Sequence, residues 1–398
     1  MRIRFFKKMS FTHIVLVSCF FLQINVYAQN AKIVPGAERT ELYLNDLKNK
    51  SIGIVANQTS IFKDKHLVDV LLSEKVTVTK IYCPEHGFRG DAGAGELISD
   101  NKDELTGLPI ISLYGNNKKP TQKQLENIDV MLFDLQDVGV RFYTYISTLT
   151  YVLEACAEAD IPVIILDRPN PNAHYIDGPV LEDGFESFVG MHKIPVVYGM
   201  TIGEYGLMVV GEDWISPNFH DKKMVKVIPV ANYTYSSYYE LPVAPSPNLQ
   251  NMSAIWMYPS LCFFEGTCVS VGRGTDFPFE LVGHPDLSKG DTTFTPRSIS
   301  HAAPNPKLKD KECIGYNLVG QGYEWRNSIH ELNFDILISC YKDLKNKDKF
   351  FIPFFDKLAG TSKLREQIEN NADIDTIRAS WQEDISNFKI IRSKYLIY

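Results

Sequence analysis

The sequence has no surplus of positive charge: 41 Lys and Arg stand against 48 Asp and Glu, for a net charge of -7. Without a basic stripe, nucleic acid is a poor partner. Beyond residue 28 there is no uninterrupted apolar run of the roughly 20 residues that a membrane-spanning helix needs. No Gly-x-Gly-x-x-Gly follows the first strand candidate, and Gly90 to Gly95 has neither the position nor the spacing of a phosphate cradle, so no nucleotide cofactor is expected. No Gly-x-Ser-x-Gly elbow is present, which argues against a serine nucleophile. Cysteine is sparse and scattered, 7 in 398 residues, without the close pairing of a metal site.

The N-terminus carries an address. Arg2, Arg4, Lys7 and Lys8 precede an apolar run from Phe11 to Val26 that ends in Val26-Tyr27-Ala28, the pattern of a leader cleaved after Ala28. Leu16-Val17-Ser18-Cys19 offers the alternative of a lipid anchor on Cys19. Either way the mature chain is expected to be exported, periplasmic or secreted. Six cysteines then remain, read as buried thiols, with Cys262 and Cys268 the pair closest in sequence should one disulfide form.

At this length two domains are expected, a first over 33–252 and a second over 253–398, with 1–28 as signal peptide. From Ser51 to about Val230 short apolar runs alternate with amphipathic stretches, the signature of βαβ units winding a parallel sheet. Strands are expected at Ile52–Ala56, Thr77–Tyr82, Val130–Leu135 and Ile161–Leu166, and helices at Lys65–Ser73, Thr121–Ile128 and Tyr145–Ala159. Past Pro245-Ser246-Pro247-Asn248 the texture turns aromatic and Gly-rich, and Ile374–Ser393 reads as one closing helix. The fold class is therefore α/β: a Rossmann-like parallel sheet with a smaller C-terminal α+β domain.

Open parallel sheets bind ligands beyond the carboxyl ends of their strands. The four strand exits carry Asn57-Gln58-Thr59-Ser60, Glu85-His86-Gly87, Gln136-Asp137-Val138-Gly139 and Asp167-Arg168-Pro169-Asn170. Glu85, between Pro84 and Gly87, sits on a stiff turn that can aim a carboxylate, with His86, Arg89, Asp91 and Glu96 nearby. Alternation puts Asp134 and Gln136 on one face of their strand and Asp137 near the rim, making Asp134 a buried anchor and Asp137 or Glu96 the partner carboxylate, Asp137 the better placed. Arg141 and Tyr143 follow, and a tyrosine beside polar groups suits a sugar ring. Arg168 offers a guanidinium fork for a ligand carboxylate, or else a salt bridge to Asp167 or Glu182. Asn248 offers an amide to a ligand or merely makes its turn. Glu265, Arg273, Asp276 and Glu280 are candidate wall residues from the second domain.

Two carboxyl groups with flanking polar residues suit glycoside hydrolysis by a general acid and a partner. Glu85, His86, Asp91 and Asp137 would also serve a metal-dependent hydrolase, but no second His lies near His86 and no metal is expected. A periplasmic muropeptide- or glycan-binding protein would use the same cleft without cleavage.

The longer motifs resemble the exo-β-N-acetylmuramidase NamZ family, glycoside hydrolase family 171. They are Gly53 to Thr59, Pro84 to Gly90, Phe133 to Tyr145, Asp167 to Pro171, Pro245 to Asn248, Phe264 to Thr267, Val271 to Thr275 and Lys394 to Tyr398. The resemblance implies a Rossmann-like domain, a smaller second domain and an active site in the cleft between them. It implies release of terminal, non-reducing N-acetylmuramic acid from peptidoglycan-derived MurNAc-GlcNAc saccharides, with the catalytic glutamate on Glu85 and Glu96 the fallback. N-acetylmuramic acid carries a lactyl carboxylate, for which the arginines are candidates in the order Arg168, Arg141, Arg273. Asn57, His86, Arg89, Gln136, Tyr143, Asn170 and Asn248 complete the expected substrate contacts, and no stable protein partner is expected.

Overall fold

The structure is a computed structural model, and it describes residues 31–85, 87–89 and 101–398. The leader, Cys19, His86, Asp91 and Glu96 lie outside the described residues. In chain order the strands of the first half are β1 (Ser51–Ala56), a small hairpin of β2 (Ile61–Phe62) and β3 (Lys65–His66), β4 (Thr77–Cys83), β5 (Asn101–Lys102), β6 (Pro109–Ser112), β7 (Val130–Asp134), β8 (Val163–Leu166) and β9 (Val225–Ile228). Seven of them form one sheet in the order β5-β6-β4-β1-β7-β8-β9. All its pairings are parallel except β5 with β6 at the edge.

The four expected strands are therefore present at the centre. The expectations from sequence do not include β5, β6 and β9, which are only two to four residues long and interrupted by Lys102, Pro109 or Lys226, so no continuous apolar run marks them. Period-2 alternation divides the buried side chains between two cores. Ile52, Ile54, Val130, Leu132 and Ile164 face a smaller cluster closed by Tyr43, Leu67 and Leu71. Val55, Met131, Phe133, Val163 and Ile165 face a larger cluster under the helices Tyr145–Glu158 and Ile202–Gly211.

That larger cluster does not stop at the end of the sheet domain. It continues through Trp256, Phe263, Phe264, Phe334, Phe350 and Trp381, so both halves share one continuous apolar core. The second half adds an antiparallel sheet of β10 (Leu281–His284), β11 (Thr292–Phe294) and β12 (Cys313–Asn317), with β12 in the middle, and a run of short helices. The expected closing helix is two, Ile374–Ala379 and Gln382–Arg392, broken where Trp381 turns inward to donate Nε1–H to Asp177 Oδ1 at 2.9 Å.

The helix Met252–Leu261 joins the halves, and its sequence explains a contact that the strand exits provide. Pro259 lies inside it and has no N–H, so the carbonyl of Ile255 one turn back lacks its helical partner. Asn172, in the loop after β8, donates its Nδ2 to that oxygen at 3.2 Å and to Val138 O at 2.9 Å. The tail returns to the sheet domain: Tyr398 Oη donates to Asp167 Oδ2 at 2.5 Å, and the Ile397 N–H to Glu204 Oε1 at 2.7 Å. All six described cysteines are free thiols, so Cys262 and Cys268 form no disulfide.

Candidate active site

A cleft of roughly 750 Å³, part of it open to solvent, lies between the strand exits of the sheet domain and the segment Tyr258–Phe279. Glu85 and Tyr143 line it from the first half, and Tyr258, Glu265, Arg273 and Phe279 from the second. Glu85 follows β4 directly, and Gly87 holds φ +80, a left-handed turn that a residue with a side chain adopts only at a cost. Tyr114 donates its hydroxyl to the Glu85 carboxylate. The acid is thus oriented by a phenol and flanked by rings.

The phenols stay neutral. Burial pushes Tyr143 and Tyr258 well above the usual tyrosine range, so they act as donors and ring surfaces at any working pH. Tyr143 Oη donates to Pro245 O at 2.7 Å, pinning the Pro245-Ser246-Pro247-Asn248 loop. Asn57 donates Nδ2 to Tyr145 Oη at 2.7 Å, and Gln58 reaches Ala244 O and Pro245 O, each at 3.3 Å. The loop's Asn248 is buried and donates to Ala302 O, 54 residues away in sequence, at 2.8 Å, a long-range scaffold contact that ties the loop to the C-terminal half.

Most polar residues expected at the strand exits are consumed by the scaffold. Asp137 is not at the rim: it is buried, it accepts from Tyr198 Oη and from the Gly139 N–H at 2.6 Å, and it does not line the cleft. Burial pushes its carboxyl up to about 6 against those hydrogen bonds. Gln136 is buried, donating to Asp137 O and Pro169 O, both at 2.8 Å. Asn170 donates to Met200 O at 2.7 Å and packs where a Cβ on Gly139 would stand, which is why Gly139 follows the strand.

The arginines separate likewise. Arg168 pairs in a bidentate fork with Asp134, at 2.6 and 2.8 Å, rather than with Asp167 or Glu182, and both partners are buried. Arg141 is fully buried and donates to four carbonyls, those of Pro179, Ile194, Leu358 and Ala359, clamping the two halves together. Arg89 pairs with Asp103 at 2.8 Å and Asp69 at 3.3 Å. None of the three lines the cleft.

Arg273 does. Its neighbours Gly272 (φ +77) and Gly274 (φ +84) hold left-handed backbone, and a Cβ on either would stand 2.7 Å from Phe277 O or 2.5 Å from Arg297 O. The Gly-Arg-Gly turn thereby presents the side chain, which remains 30% exposed. Its Nε lies 2.5 Å from Glu265 Oε1, an ion pair whose N–H is out of line for a hydrogen bond. The guanidinium also stands over the Phe279 ring, 5.3 Å from its centroid. Cys262, behind Glu265, is pushed well above the usual thiol range, first by burial and then by the Glu265 charge, so it is no thiolate nucleophile.

Glu85, Tyr143 and Arg273 are the expected residues brought together. Glu265, expected from the sequence as a wall residue, is a second carboxylate in the same cleft; Ser246 lies in the Pro245 to Asn248 motif without a role of its own assigned, and Tyr258 and Phe279 had no distinguishing sequence signal.

Comparison with known proteins gives consistent results. The family description "Exo-beta-N-acetylmuramidase NamZ, N-terminal" matches residues 52–253, and the corresponding C-terminal description matches residues 256–398. The peptidoglycan β-N-acetylmuramidase NamZ of Bacillus subtilis (strain 168) is 38% identical over 373 residues, covering 89% of each chain. Two crystal structures of DUF1343 family proteins from Bacteroides fragilis NCTC 9343 superpose with TM-scores of 0.84 and 0.76 at 45% and 28% identity, each covering 92% of this chain and 99% of its own.

Proposed function

The chain belongs to the exo-β-N-acetylmuramidase NamZ family, and from that premise we propose that it hydrolyses terminal N-acetylmuramic acid from the non-reducing end of peptidoglycan fragments. The observation that carries the site assignment is that one cleft holds an acid on a strand exit, a second carboxylate and a partly exposed arginine. Glu85 gives its proton to the departing glycosidic oxygen as the bond to the anomeric carbon breaks, and the oxygen of a water molecule bonds to that carbon in its place, one of its protons restoring the carboxyl lost. Glu265, in place of Asp137, is the second carboxylate. Tyr143, Tyr258 and Phe279 supply flat surface against the sugar ring.

Arg273 receives the lactyl carboxylate. Its Nε is turned to Glu265, and its terminal nitrogens make no hydrogen bond to the described residues, which leaves a fork for a planar anion. Arg168 and Arg141 have their donors committed elsewhere. The leader at residues 1–28 would deliver the enzyme to the periplasm or beyond, where this glycan is found.

The test is turnover of a chromogenic N-acetylmuraminide. Glu85→Gln is expected to lose about 10²- to 10⁴-fold in kcat. Arg273→Ala is expected to raise KM about tenfold to a hundredfold, the worth of one charge-assisted contact, while sparing weak activity on N-acetylglucosaminides. Saccharide binding without turnover by the unaltered protein would make it a binding module instead, and full turnover by Glu85→Gln would remove Glu85 from the mechanism.

A further inference from the structure

Behind the C-terminal wall of the cleft lies a lysine that the mechanism does not use. Lys307, in the loop between β11 and β12, places Nζ against four backbone carbonyls: Phe264 O at 2.9 Å, Val269 O at 3.2 Å, Glu265 O at 3.4 Å, and Thr267 O. These belong to the end of the short 3-10 helix Cys262–Gly266 and the turn that follows it. Carbonyls at a helix end carry partial negative charge that a cation offsets, and Phe264 O, which already accepts from the Thr267 N–H and Oγ1, is one of the four that Lys307 gathers. An ammonium has three N–H groups, so four acceptors saturate it.

The environment makes this placement costly unless those carbonyls hold it. Burial pulls Lys307 down to about 8, opposed by the charge of Glu265, while Arg273 adds to the lowering. His284 and Lys311 also stand on this side. Glu265 is thus fastened through its own main chain by Lys307 and paired through its side chain with Arg273.

We propose that Lys307 is a positioning residue for substrate recognition: by gathering the carbonyls of Phe264–Val269 it sets where Glu265 stands, and through that ion pair where the Arg273 fork opens into the cleft. The proposal rests on the reading of Arg273 as the lactyl-carboxylate receptor. Lys307 itself does not line the cleft. Its effect therefore belongs in KM and must pass through Arg273.

The experiment is a double-mutant cycle on the full-length protein, with KM and kcat measured on the chromogenic N-acetylmuraminide for Lys307→Met, Arg273→Ala and the pair. Lys307→Met is expected to raise KM at least about fivefold with a smaller change in kcat, Lys307→Arg to restore most of it, and the double variant to match Arg273→Ala alone. A lysine that only supports the fold would lower the unfolding midpoint and the active fraction while leaving KM unchanged, and its effect would multiply with that of Arg273→Ala. Either result overturns the proposal. Should Lys307→Met not fold, Lys307→Gln, which keeps an amide donor, is read by the same criteria. If Arg273→Ala itself leaves KM unchanged, the parent reading of the cleft fails; if it raises KM but the lysine variants do not, only this inference does.

Discussion

The two walls of the cleft are built on opposite plans. The sheet-domain wall is crowded with polar residues at strand exits, yet Asn57, Gln136, Asp137, Arg168 and Asn170 are buried and spend their hydrogen bonds on the scaffold. The opposite wall, from Tyr258 to Phe279, holds five aromatic residues and only three charged ones in sequence, yet it supplies Glu265 and Arg273, two of the three charged side chains that line the cleft. The lesson is that a polar group where a sheet ends must first satisfy the loops that leave it. Those loops are buried here beneath a second half that shares the same core, so their main-chain groups need protein partners.

The comparison is broken most forcefully by the arginines. Arg168→Ala leaves the Asp134 carboxylate buried without its partner, and a loss of about 3–5 kcal/mol in unfolding free energy is expected by denaturant titration. Arg273→Ala, by contrast, loses only a partly exposed ion pair with Glu265 and should cost no more than about 1 kcal/mol while failing on KM. If Arg273→Ala unfolds the protein and Arg168→Ala does not, the two walls have been assigned the wrong way round.

A smaller effect is expected at Gly272, whose φ of +77 and close approach to Phe277 O leave no room for a methyl group. Gly272→Ala should cost about 1–3 kcal/mol by thermal melting, and it should also raise KM because the strain falls on the turn that carries Arg273. Smaller still, Tyr398→Phe removes one of the donors to buried Asp167, along with Thr201 Oγ1 and the N–H groups of Gly203 and Arg168. About 1–2 kcal/mol is expected, with no change in kcat or KM, because this hub belongs to the scaffold.

The smallest expected effect lies in the pH dependence of stability. Burial raises Asp137 to about 6 and Asp167 to about 7, above the roughly 4 of an unfolded carboxyl. Between those limits the native state binds more protons than the unfolded chain, so the contribution is complete below about pH 4 and is lost as pH rises through 6 and 7. Asp137→Asn removes one of the two titrations. Its melting temperature should fall less than the parent's between pH 4.5 and 7.5, by on the order of a few degrees. An identical pH slope in both proteins would place Asp137 in a solvated site, and the two walls would then look alike.

How much of this was legible beforehand varies with the kind of feature. The central strands announce themselves because burial on both faces demands continuous apolar runs, and Val130 to Leu135 ends within a residue of β7. Glu85 was legible because Pro84 and Gly87 specify a turn at a strand end. Asp137 was misplaced for a physical reason: alternation gives the face of a residue within a strand, but β7 ends at Asp134, and the loop beyond obeys no period. Ranking Arg168 first failed similarly, because the bidentate geometry that suits a ligand carboxylate suits Asp134 equally well, and Asp134 is 34 residues away in sequence.

By itself the sequence determined the parallel sheet, the exits at which chemistry collects and the family to which the chain belongs, because these follow from local periodicity, turn residues and contiguous motifs. Only the tertiary structure decided which charges are free to act. Whether a guanidinium faces four carbonyls, as Arg141 does, or an open groove, as Arg273 does, depends on segments brought together from as far as 218 residues apart. Long-range packing, which leaves no pattern along the chain, fixes where each buried polar group finds its partner.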